Sequence, residues 1–112
     1  MLKITDSEIR KRFRKREDIE EITLEDTWYI PDYCFQHCVN LRKVIMTGTL
    51  RIIGPAAFSG CEALEEVVLV DSDSHYISIG REAFKDCRNL TVLNFFDRAI
   101  YIGENAFAHC AY

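Results

Sequence analysis

Ile79-Gly80-Arg81-Glu82-Ala83-Phe84-Lys85-Asp86-Cys87-Arg88-Asn89-Leu90 decides the fold, because the chain says it more than once. Gly54-Pro55-Ala56-Ala57-Phe58-Ser59-Gly60-Cys61 precedes it, and Gly103-Glu104-Asn105-Ala106-Phe107-Ala108-His109-Cys110 follows. Phe13, Phe35, Phe58, Phe84 and Phe107 recur at intervals of 22, 23, 26 and 23 residues. A period in the low twenties implies a solenoid: each unit is too small to bury its own apolar face and does so by stacking on the next.

An apolar triplet follows each phenylalanine: Ile19, Ile22, Leu24; then Leu41, Val44, Met46; then Leu64, Val67, Leu69; then Leu90, Leu93, Phe95. The last two members of each alternate with period two, the mark of a short strand, and stacking pairs these strands in parallel. A second column, Ile30, Ile53, Ile79 and Ile102, predicts a second short strand. Gly54, Gly80 and Gly103 are expected at a corner with positive φ, and Pro31 makes the first corner different. Ala-Phe-x-x-Cys then reads as a short helical turn, with Cys34 in the core place held elsewhere by Ala57, Ala83 and Ala106. The third unit is longer, and the extra residues in Asp71-Ser72-Asp73-Ser74-His75-Tyr76 are expected to bulge as a loop.

At the start, Thr5-Asp6-Ser7-Glu8 has the form of a capping box, which predicts an N-terminal helix with Ile9 and Phe13 on one face. Arg10-Lys11-Arg12 and Arg14-Lys15-Arg16 cover its remaining surface. Residues 1–18 are thus expected to be a capping helix and a degenerate first repeat. Arg16 stands where later units carry cysteine, as suits a terminal unit that faces water.

Taken together, Ile-Gly-x-x-Ala-Phe-x-x-Cys-x-x-Leu-x-x-Val-x-Leu resembles the leucine-rich repeats of the BspA-like type, over about residues 19–112. The resemblance implies an α/β repeat solenoid, a right-handed leucine-rich-repeat coil with short parallel strands, short helical turns and an N-terminal capping helix. It implies one domain over residues 1–112. It also implies a non-enzymatic role: members are mainly from anaerobic bacteria and some protozoa, and many are cell-surface proteins linked to adhesion or host-protein binding.

Composition narrows the classes. Of 112 residues 48% are hydrophobic, which excludes a disordered chain, and a net charge of −4 argues against a general nucleic-acid binder. No apolar run reaches the ~20 residues of a membrane span, so no membrane insertion is expected. Met1-Leu2-Lys3-Ile4-Thr5-Asp6 lacks the apolar stretch of a signal peptide. The chain as given therefore reads as cytoplasmic, and as cell-surface or secreted if a leader has been removed.

Cys38, Cys61, Cys87 and Cys110 follow the repeat rather than the close pairs of a zinc site, and read as a ladder of buried thiols. Equivalent Cβ atoms one strand spacing apart, ~4.8 Å, stand beyond the ~3.8 Å of a disulfide. His37-Cys38 and His109-Cys110 occupy one slot on coils three apart, about 14 Å, too far to share a metal. Nucleophile elbow, zinc-protease and phosphate-loop patterns are absent from the sequence. No catalytic, cofactor or metal site is expected.

Residues between the buried ones point outward. Three outward columns follow: Glu21, Lys43, Glu66, Val92; Thr23, Ile45, Val68, Asn94; and Glu25, Thr47, Val70, Phe96. The candidate site for a protein partner is Lys43, Ile45, Glu66, Val68, Val70, Val92, Asn94 and Phe96, an apolar patch with a polar rim. The last strands of the repeat are expected to leave an uncovered edge at the C-terminal end, a route to a homo-oligomer. The alternative role is a structural spacer or self-assembling module within a longer repeat protein.

Overall fold

The computed structural model describes residues 2–11, 13–70, 73–74 and 76–112. Two parallel sheets run along the stack. The first contains β1 (Leu2–Thr5), β2 (Glu21–Glu25), β4 (Lys43–Met46), β6 (Glu66–Leu69) and β8 (Val92–Leu93), in that spatial order. The second contains β3 (Tyr29–Ile30), β5 (Ile52–Ile53), β7 (Ile77–Ile79) and β9 (Ala99–Ile102). Inward residues stack in register: Ile22 on Val44, Val67 and Leu93 in one sheet, and Ile30 on Ile53 and Ile79 in the other, with Ile102 in register with Ile79 but exposed. The pairing of β7 with β9 slips by one residue, so that Ile77 faces Ala99 but Ser78 faces Tyr101. Ile100 is left between them and is exposed.

The third side of each coil departs from the expected helical turn. Cys34 N–H bonds to Pro31 O, Gln36 N–H to Tyr33 O and Cys38 N–H to Phe35 O, which is a run of linked β-turns. Alternate N–H groups cross to the next coil, as Tyr33 does to Pro55 O, Phe35 to Ala57 O and His37 to Ser59 O. An α-helix would keep those donors within its own turn. Here the stack supplies better placed acceptors, and each turn becomes a rung of a third ladder. The geometry requires positive φ at Tyr33, Ala56, Glu82 and Asn105, and again at His37, Asp86 and His109.

The cap differs too. No α-helix forms among the described residues, and the N-terminal segment is β1 followed by a single 3-10 turn, Glu8–Arg10. Half of the expected capping box is present: Glu8 Oε1 accepts from Thr5 N–H at 3.1 Å and from Thr5 Oγ1 at 2.9 Å. These bonds hold the Glu8 carboxyl below its usual range. Pairing decides the outcome. Leu2-Lys3-Ile4-Thr5 alternates, and it lies in register on Ile22 to Glu25 with Ile4 buried over Leu24. Tertiary contact thus overrides a local helix signal. Ile9 and Phe13 are buried as separate rungs of a first coil. Arg16 closes that coil, paired with Asp18 and lying 5.6 Å over the Phe13 ring.

The glycine column also has a different cause. Positive φ among the glycines falls on Gly48 and Gly60, not on the corners. A Cβ at Gly80 would lie 2.7 Å from Pro55 N and 2.9 Å from Gly54 C, so the corner glycines permit close approach of successive coils.

Between the three ladders lies one core. Phe13, Phe35, Phe58, Phe84 and Phe107 stack with ring centroids 5.4, 5.3, 5.3 and 5.4 Å apart and planes within 17°. Cys34, Cys38, Cys61 and Cys87 are buried free thiols. Three of them donate to the phenylalanine carbonyl of the coil before: Cys38 to Phe13 at 3.0 Å, Cys61 to Phe35 at 3.1 Å and Cys87 to Phe58 at 3.1 Å. Outside the ladder, Asn40 and Asn89 carboxamides donate to Glu17 O and Glu62 O of the preceding coil. Of the inserted loop, Asp71, Ser72 and His75 lie outside the described residues. Among those described, no helix is long and apolar enough to cross a membrane.

Candidate functional site

Strand alternation sets the outward face of the first sheet. Lys43 stands opposite Glu66, and Glu66 opposite Val92, in one column; Ile45 stands opposite Val68 in the next. Lys43, Ile45, Glu66 and Val68 are half-buried, while Val70 and Val92 are exposed at 40% and 37%. Lys43 Nζ lies 3.6 Å from Glu66 Oε2, and Arg42 pairs with Glu21. The result is an aliphatic strip, Ile45 to Val68, with ion pairs along its side. The side chains of both pairs keep about a third to a half of their surface in water, so the pairs add little stability and leave their charges open to contact.

Two of the eight expected residues lie elsewhere. β8 ends at Leu93, and Asn94 turns its side chain back: its Oδ1 accepts from Leu69 N–H at 2.8 Å and its Nδ2 donates to Leu69 O at 3.0 Å. The carboxamide replaces the backbone that a longer strand would have offered to β6. Phe96 begins a 3-10 turn, Phe96–Arg98, which carries it off the strand face. It packs edge-on against Phe107 at 5.6 Å and beside Tyr112 at 5.3 Å. The C-terminal end is therefore partly covered, where an open edge was expected. Phe96 and Tyr112 lie over the last ring of the ladder, and Tyr112 OH donates to Leu93 O of β8 at 3.3 Å.

His37, His109 and the cysteines do not converge among the described residues. The His37 ring lies where a Cβ on Gly60 would be, and His109 Nδ1 pairs with Asp86 Oδ1 at 2.8 Å. That contact lowers the Asp86 carboxyl below its usual range. Among the described residues no cluster of three His, Cys, Asp or Glu could hold a metal.

A second surface was missed from the sequence. The outward column of the second sheet is Tyr29, Ile52, Ser78 and Tyr101 in register, with Trp28 exposed at 53% and Tyr101 at 58%. The signal was available for the column itself: Tyr29, Ile52, Ser78 and Tyr101 each precede an isoleucine of the second column, so alternation points them outward, whereas Trp28, two before Ile30, is not placed outward by it. A groove of about 550 Å³ opens beside Trp28 and Tyr29, lined also by Asp6, Ile9, Arg10 and Asp32. Among the described residues the first coil gives a strand to the first sheet and none to the second, and the groove opens on that side of β3.

Family comparison agrees with the geometry: the model for the BspA type leucine rich repeat region matches residues 7–112, in 6 copies. The chain belongs to the BspA-type leucine-rich repeat family. The match begins within the first coil, so in this BspA-type protein residues 7–18, expected to be a capping helix and a degenerate first repeat, are repeat in sequence and form no α-helix among the described residues. No curated protein and no solved structure matches the chain.

Proposed function

We propose that this BspA-type repeat protein is a non-enzymatic scaffold that holds a protein partner on the outward face of its first sheet. The observation that carries this reading is the in-register strip of Ile45 and Val68, bounded by Lys43, Glu66, Val70 and Val92. Repeat stacking presents it as one rigid surface, so little conformational freedom is lost on binding. The non-enzymatic part rests on the thiols: Cys34, Cys38, Cys61 and Cys87 are turned into the core, and burial pushes Cys38, Cys61 and Cys87 up, away from the reactive thiolate.

The test compares wild type with Val68→Asp and Val92→Asp as baits in native lysate, followed by binding measurements on each purified prey. Both side chains point away from the core, so the variants should fold. A prey that binds wild type and loses at least tenfold in affinity for both variants supports the face. If every prey binds all three baits equally, the face assignment is wrong. The second reading, a spacer or self-assembling module, is favoured by β9, the outer strand of its sheet among the described residues, which exposes Tyr101 and Ile102. Sedimentation over a wide concentration range tests it, with a monomer throughout as the contrary result for self-assembly.

A further inference from the structure

We propose that the groove beside β3 is a carbohydrate subsite in which the apolar face of one neutral sugar ring stacks on Trp28. Its volume of about 550 Å³ lies inside the ~300–1,000 Å³ of ligand pockets. Trp28 is the only tryptophan in the chain and is 53% exposed, although so large a ring is usually well buried. Tyr29 lies beside it, with centroids 5.7 Å apart and planes at 39°. Tyr29 OH donates to Asp32 Oδ1 at 2.9 Å and so fixes that carboxylate at the groove wall.

The lining selects the ligand by charge. The two carboxylates of Asp6 and Asp32 oppose an anion, and Arg10 beside them offsets part of their charge and offers a donor that a neutral ligand can use and a cation cannot. An added peptide strand is disfavoured as well. Gly54, Gly80 and Gly103 each donate an N–H to the coil before, at 2.8 Å, and Pro31 holds the same slot on β3 with no N–H to give. A neutral sugar meets every condition. Its C–H face covers the indole, its hydroxyls donate to Asp6 and Asp32, and they accept from Arg10. This site lies on the second sheet and is independent of the partner face on the first.

Trp28 is its own reporter. The full chain is titrated, following tryptophan emission, with neutral hexasaccharides of glucose, mannose, galactose and N-acetylglucosamine, and separately with a heparin hexasaccharide and a basic proline-rich peptide. The expected result is a saturable response to at least one neutral sugar and none to heparin or the peptide. Asp32→Asn and Arg10→Ala should each weaken it about tenfold or more at unchanged Tm. Calorimetry should show binding lost in Trp28→Ala and kept in Trp28→Phe. Flat titrations with all four sugars, a response to heparin or the peptide in their place, or sugar binding that survives Trp28→Ala would each overturn the proposal.

Discussion

At the scale of single residues, the thiol ladder makes stability depend on pH. Cys61 and Cys87 are buried, and desolvation raises both well above their ordinary range in the folded chain. Unfolding returns them to about 8.5. A group with a raised folded pKa binds its proton more tightly when folded, so its contribution is complete below the unfolded pKa and is lost as pH rises above it. Each fully buried thiol should therefore remove about 1.4 kcal/mol of stability per pH unit above roughly pH 9. Urea unfolding of wild type and of Cys61→Ala/Cys87→Ala between pH 7 and pH 10.5 checks this. The wild type should lose stability more steeply, and equal slopes would contradict the burial argument. The cysteine positions were legible from spacing alone. Their partners were not, because a thiol's acceptor here is a carbonyl on another coil, which nothing near Cys61 in sequence announces.

At the scale of elements, the strands were legible and the turns were not. Alternation in Lys43-Val44-Ile45-Met46 and Glu66-Val67-Val68-Leu69 gives both register and outward face from local sequence. Ala56-Ala57-Phe58 and Glu82-Ala83-Phe84 contain good helix formers, and their conformation is set by bonds to the neighbouring coil. The same limit explains the cap: Thr5 and Glu8 meet as a capping box would require, but the pairing of Ile4 over Leu24 decides the backbone. It also explains Asn94, whose role depends on where β8 ends. Asn94→Ala removes both the acceptor for Leu69 N–H and the donor to Leu69 O. It should cost about 1–3 kcal/mol. Amide exchange at Leu69 should accelerate with it. Unchanged protection there would show that the carboxamide does not hold this edge.

For the whole molecule, the stack of rings implies a gradient. Phe35, Phe58 and Phe84 are sandwiched and fully buried, Phe13 is 8% exposed under Arg16, and Phe107 is half-buried under Phe96 and Tyr112. Replacement by alanine should cost about 3–5 kcal/mol in the middle and less at Phe13 and Phe107. Urea midpoints of the five variants give the order, and equal losses at all five would show that the ends are packed as tightly as the centre. Six of the eight expected partner-face residues are brought together because five lie in strands that continue through several coils and Val70 directly follows β6, its N–H bonded to Met46 O. The groove stayed hidden because it lies where, among the described residues, β3 has no neighbouring strand, which only the assembled stack shows.

The chain of thiol and amide bonds from each coil to the next has a consequence for how such a protein can change length. Cys61 donates to Phe35 O and Cys87 to Phe58 O in the same way, so one coil presents to its successor what its predecessor presented to it. Excising the segment between Ala57 and Ala83 would join two positions with the same role and leave matching donors and acceptors facing across the join. Duplicating it would do the same. In-frame gain or loss of whole units is thus a small step for this architecture, whereas a single-residue deletion inside β4 or β6 would turn the core side chains of that strand to the outside.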